Sequence, residues 1–92
     1  MLVLDEITLK DSRSTIGKWC VALRKNQRIS QIDLARELGL SHKTIANLEN
    51  GNNFTIGTLL KVLKHFGMQD QLHLFVVDQL KRQIESNEVN FY

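Results

Sequence analysis

The sequence predicts an all-α domain of five helices. Three observations carry that expectation. No proline occurs in 92 residues, apolar residues recur at helical spacing through most of the chain, and Ser, Thr and Gly stand where those runs start and stop. The pattern is centred on residues 30–51. Ser30 can cap a helix, because its hydroxyl accepts from an orphan N–H. Leu34, Ala35 and Leu38 follow on one face, and Gly39 can enter a left-handed helix end without a Cβ penalty. Leu40 plugs the turn, Ser41 can cap a second helix with Ile45 and Leu48 inward, and Asn50-Gly51 closes it. That second helix exposes His42, Lys43, Thr44 and Asn47, all able to hydrogen-bond. A short capped helix with an apolar underside and a polar upper face meets the requirement for reading a major groove.

The other elements follow in order. In residues 1–9, Leu2, Leu4 and Ile7 can alternate as a strand, or Val3 and Ile7 can line a helical turn. Such an arm packs either on its own domain or on a partner subunit. Asp11-Ser12-Arg13-Ser14 reads as a polar break with cap residues. The first helix is therefore expected from Ser14 or Thr15 to about Asn26, with Ile16, Trp19, Cys20 and Leu23 facing inward. Asn26-Gln27-Arg28 turns into the second helix, Gln31 to Leu38, and the third is expected from His42 to Asn50. Thr55 can cap a fourth helix, Ile56 to about His65, which Gly67 ends. The fifth is expected from Asp70 to about Glu85, with a stripe of Leu72, Phe75, Val76, Leu80 and Ile84. Residues 72–77, LHLFVV, are also a fair strand by composition. Residues 87–92 form a tail whose Phe91-Tyr92 end either frays or docks on a neighbour.

Bulk properties narrow the function classes. A chain of 92 residues is one domain near the lower limit for a self-sufficient core, so dimerisation would help it. Its 42% apolar and 24% charged content is that of a globular protein. One cysteine excludes an intramolecular disulfide, and no signal peptide is recognisable, so a reducing cytoplasm is expected. No apolar run approaches the roughly 20 residues that span a bilayer, so no membrane role is expected. The net charge of +2 is unevenly spread. Lys18, Arg24, Lys25, Arg28, Arg36 and Lys43 outnumber Asp33, Glu37 and Glu49 between residues 16 and 53, while both ends of the chain are acidic. The basic part coincides with the central helix pair, as phosphate binding requires. His42, His65 and His73 have no metal-ligand spacing, Cys20 has no visible activating neighbour, and no Gly-rich phosphate loop or nucleophile elbow occurs. No enzyme activity, cofactor or metal is expected.

Ser30-Gln31, Leu34-Ala35, Gly39, Ile45 and Leu48-Glu49-Asn50-Gly51 together resemble the helix-turn-helix of the phage Cro/repressor superfamily, also called the xenobiotic-response-element (XRE) type. The resemblance covers roughly residues 16–67. It implies a phage-repressor-like domain whose third helix touches base edges through His42, Lys43 and Asn47, with Thr44 and Ala46 beside them. The chemistry suits the role. Lys43 can donate to guanine or to a phosphate, Asn47 can bond adenine in both directions, His42 can donate or accept, and Ala46 can meet a thymine methyl. On the bland alternative, any exposed helix carries such residues. Phosphate contacts are expected to frame the helix from Gln31, Ser41, Arg28 and the loop residues Asn50, Asn52 and Asn53, with Lys18 and Lys25 either adding charge or merely solvated. The resemblance also implies an ion pair between Arg24 and Glu49, tying the first helix to the end of the third and leaving Arg24 partly facing a phosphate.

These readings lead to one expectation and two alternatives. Residues 1–13 form an arm, 14–69 a helix-turn-helix DNA-binding domain, and 70–92 a C-terminal helix and tail that can dimerise. One helix-turn-helix reads little sequence, so a homodimer on two half-sites of duplex operator DNA about one helical turn apart is expected, with Leu72, Phe75, Val76 and Leu80 at the interface. Such a dimer would repress a promoter, its own among the candidates. As an antitoxin the chain would bind DNA and also neutralise a toxin protein through its arm or tail. As a protein-interaction module it would have lost DNA binding.

Overall fold

The computed structural model describes residues 6–86. The expectations for Leu2, Val3 and Leu4 and for the Phe91-Tyr92 tail lie outside the described residues. The described residues form five helices: α1 (Leu9–Asn26), α2 (Gln31–Leu38), α3 (His42–Glu49), α4 (Ile56–His65) and α5 (Gln69–Glu85). The strand alternative at residues 72–77 is excluded, because that segment is the first half of α5.

Local side-chain chemistry sets most of the helix ends. Ser30, Ser41 and Thr55 each accept a hydrogen bond from the backbone N–H three residues on, at 3.0, 3.0 and 3.1 Å. Each cap contributes about 1 kcal/mol. Gly39 ends α2 at φ 67°, and the Leu40 N–H donates back to the Ala35 carbonyl at 2.9 Å. This closure satisfies a carbonyl the helix leaves orphaned and swings the chain into α3.

The start of α1 corrects the expected boundary at Ser14 or Thr15. Thr8 and Asp11 form a reciprocal capping box: the Thr8 N–H donates to Asp11 Oδ2 at 2.9 Å, and the Asp11 N–H donates to Thr8 Oγ1 at 3.0 Å. The Thr8 backbone N–H, and to a smaller extent the Thr8 side chain, hold the Asp11 carboxyl below its ordinary pKa. The box starts the helix at Leu9. Asp11-Ser12-Arg13-Ser14 is therefore helix and not a break, since none of these residues has to leave a helical conformation.

A second correction concerns Trp19, which is 36% exposed and not part of the core. The inward positions of α1 are Gly17 and Cys20, with Ile16 and Leu23 packed against the core. Gly17 decides that orientation. A Cβ there would lie 2.6 Å from the Glu49 carbonyl oxygen and 2.7 Å from that of Leu48, so the backbones of α1 and α3 meet where no side chain intervenes. Gly51, at φ 71°, makes a similar approach to Ser14.

The core is built from Cys20, Leu34, Ala35, Ile45, Leu48, Leu59, Val62 and Leu63. Ile45 and Leu48 are 0% exposed, and burying a side chain of this size stabilises the fold by about 1.5–3 kcal/mol. α3 packs against α1, α2 and α4, whereas α5 packs on α4.

Candidate nucleic-acid interface

α3 is held from below and open above. Ile45, Leu48 and Glu49 are buried, His42 and Lys43 are exposed, and Thr44, Ala46 and Asn47 are half-buried. Its residues can present polar groups outward because every inward position is committed to the core. Asn50, Asn52 and Asn53 follow on the exposed loop, interrupted by the buried Gly51.

The buried Glu49 is the centre of a polar network. Arg24 Nε donates to Glu49 Oε2 at 2.6 Å and Arg24 Nη2 to Glu49 Oε1 at 3.0 Å, a two-pronged pair with only 12% and 3% of the side chains exposed. Arg24 Nη1 donates to the Ile29 carbonyl at 2.9 Å. This brace ties α1 to α3 and to the turn before α2. Three of the five Arg24 N–H groups are thus used inside the protein.

Gln31 joins the network from α2. Its Nε2 donates to Glu49 Oε1 at 2.8 Å, and its Oε1 lies 2.9 Å from His42 Nε2. Glu49 and His42 can share one partner because they are seven residues apart, two turns along the same face, and helical side chains lean toward the N-terminus. Ser41 and Thr44 bind each other, hydroxyl to hydroxyl at 2.8 Å, so part of Thr44's hydrogen-bonding capacity is spent within the protein. Arg28 is exposed and stands in the left-handed region at φ 55°.

The structure thus brings Arg24, Gln31, His42 and Glu49 into one connected set, and leaves Lys43, Asn50, Asn52 and Asn53 exposed around it. Two residues of this region escaped the sequence reading. Gly17 lets α1 touch α3, and its signal was a glycine inside a helical run, which costs about 1 kcal/mol unless packing needs it. Arg13 donates from Nε to the Gly51 carbonyl at 3.4 Å, from a polar stretch of α1 whose composition resembles a loop.

The remaining chemistry is quiet. Cys20 is 1% exposed, and burial, with a smaller contribution from the Glu49 charge, pushes its thiol up to about 11. A thiol so protonated is a poor nucleophile. Among the described residues no group of three or more His, Cys, Asp or Glu could hold a metal ion. No described helix is long and apolar enough to cross a membrane.

A helix-turn-helix family model matches residues 22–70, from the second half of α1 to the start of α5. The chain belongs to the helix-turn-helix family of the Cro/C1 (XRE) type. A search of curated proteins finds no match. The helix-turn-helix family is one of DNA-binding regulators and not of enzymes. In this helix-turn-helix protein α2 and α3 are the paired helices, Gly39 is their turn, and the Arg24–Glu49 brace lies beneath them.

Proposed function

We propose that the chain is a sequence-specific transcriptional repressor that binds operator DNA as a homodimer. The observation that carries this reading is the division of α3: Ile45 and Leu48 are wholly buried while His42 and Lys43, at the start of the helix, are exposed. On this reading His42, Lys43, Thr44 and Asn47 meet base edges. Gln31, Ser41, Arg28, Asn50, Asn52 and Asn53 frame them on the phosphates, and Arg24 acts as a brace.

The dimer reading rests on α5. Its seventeen residues include none that is buried, and Phe75, Val76 and Leu80 are 61%, 53% and 46% exposed. They supply an apolar stripe for a second copy, bordered by Leu72, which is itself half-buried against the core; such pairing would set two recognition helices about one DNA turn apart. The helix-turn-helix unit of residues 14–69 would then do the reading and residues 70–92 the pairing, in a reducing cytoplasm.

A gel shift on the chain's own promoter tests the reading. Asn47→Ala should weaken binding roughly 10- to 100-fold, the worth of a bidentate base contact, with the fold checked by circular dichroism. Lys43→Ala should also weaken it and flatten its salt dependence if the contact is to phosphate. If both variants shift the promoter as well as wild type does, α3 is not the reading helix. Sedimentation at micromolar concentration tests the dimer. A monomer would refute it and leave the stripe for a different chain, as an antitoxin requires.

A further inference from the structure

His42 opens α3, and its ring nitrogens are not equivalent. Glu49 is ion-paired with Arg24, and a carboxylate only accepts hydrogen bonds. The Gln31 amide must therefore turn its N–H toward Glu49, as the 2.8 Å contact from Nε2 requires. That turns Gln31 Oε1 toward His42 Nε2, 2.9 Å away. A carbonyl oxygen only accepts, so the proton of this bond sits on Nε2. In a neutral imidazole one nitrogen donates and the other accepts. Nδ1 is then the acceptor, and His42 is exposed.

We infer that the buried Arg24–Glu49 pair sets the tautomer of His42 through Gln31, so that neutral His42 offers DNA an acceptor and selects a base with an amino group in the major groove. Those bases are adenine, through N6, and cytosine, through N4. Guanine presents acceptors at N7 and O6, and thymine an acceptor at O4 beside its methyl group, so both would oppose the Nδ1 lone pair. Gln31 is a positioning residue in this scheme: it acts on the bases through His42. The inference rests on the proposed DNA reading for its target, but the relay itself is a property of the free protein.

Two measurements separate them. The first is the long-range proton–nitrogen NMR spectrum of the histidine rings in the free protein at about pH 8, above the ordinary histidine pKa of about 6.5. His42 should show one tautomer with the proton on Nε2, and Gln31→Ala should convert it to a mixture. A proton on Nδ1 in wild type, or the same tautomer distribution in wild type and Gln31→Ala, overturns the relay. The second is selection at the same pH from duplexes randomised across the half-site. Wild type should enrich adenine or cytosine roughly fivefold at one position, the worth of a single hydrogen bond of about 1 kcal/mol. His42→Ala and Gln31→Ala should both lose that preference. Guanine or thymine at the position dependent on His42 overturns the inference while the DNA reading survives. Binding to no duplex at all overturns the DNA reading, and the base preference with it, while the NMR result still reports on the relay.

Discussion

α3 and α5 sit at opposite ends of one range. α3 has eight residues and buries three of them; α5 has seventeen and buries none. α3 is wedged among α1, α2 and α4, whereas α5 packs mainly on α4. Yet α5 has the larger apolar inventory, with Leu74, Phe75, Val76, Leu80 and Ile84 all exposed. The difference teaches where rigidity lies. An exposed polar face stays in one position only if its underside cannot move, and α3 is so anchored. An apolar face left in water is worth little to the fold that carries it and much to an association that covers it.

The largest effect should come from the network beneath α3. Glu49→Ala strands the Arg24 guanidinium in the interior and should cost about 3–5 kcal/mol, measured by urea unfolding. That is a large part of the roughly 5–15 kcal/mol available to a domain. Gly17→Ala should follow at about 2–3 kcal/mol, because its Cβ meets backbone carbonyls and not yielding side chains. A Gly17→Ala variant as stable as wild type would break the claim that α1 and α3 touch there.

On α5 the same kind of damage should spare the fold. Leu80→Glu should change monomer stability by no more than about 0.5 kcal/mol, as at ordinary surface positions. It should also abolish any rise of Tm with protein concentration, the mark of linked association. If Leu80→Glu unfolds the monomer instead, the contrast between the two helices fails. The smallest effect concerns Cys20. Its folded-state pKa is raised from 9.0 to about 11, so its contribution is fully present below about pH 9 and is lost as pH rises toward 11. Thermal melts across that window should show wild type losing more stability than Cys20→Ala does.

Much of the fold was legible in advance. The ends of α2 and α4 fall where the sequence placed them, and those of α3 and α5 within one residue. Ser30, Gly39, Ser41 and Thr55 act on backbone groups a few positions away, so their effect can be read without knowing the fold. The start of α1 could be read in the same way, since Thr8 and Asp11 are three residues apart, but the polar residues that follow resembled a loop. Trp19 misled for a different reason. Periodicity finds an apolar side of a helix, but Gly17 carries no side chain to vote with, and it is the close backbone approach that faces inward. In the interface, the exposed positions of His42 and Lys43 followed from helical spacing. The double role of Gln31 did not, because it depends on where Glu49 arrives.

The sequence by itself determined the caps of α2, α3 and α4 and the turn between α2 and α3, since each depends on contacts within about one helical turn. Tertiary structure alone decided that Gly17 and not Trp19 faces α3, and how Gln31 is oriented. The bonds responsible join residues 18 and 25 positions apart, and their geometry exists only once three helices have met around the buried Glu49 carboxylate.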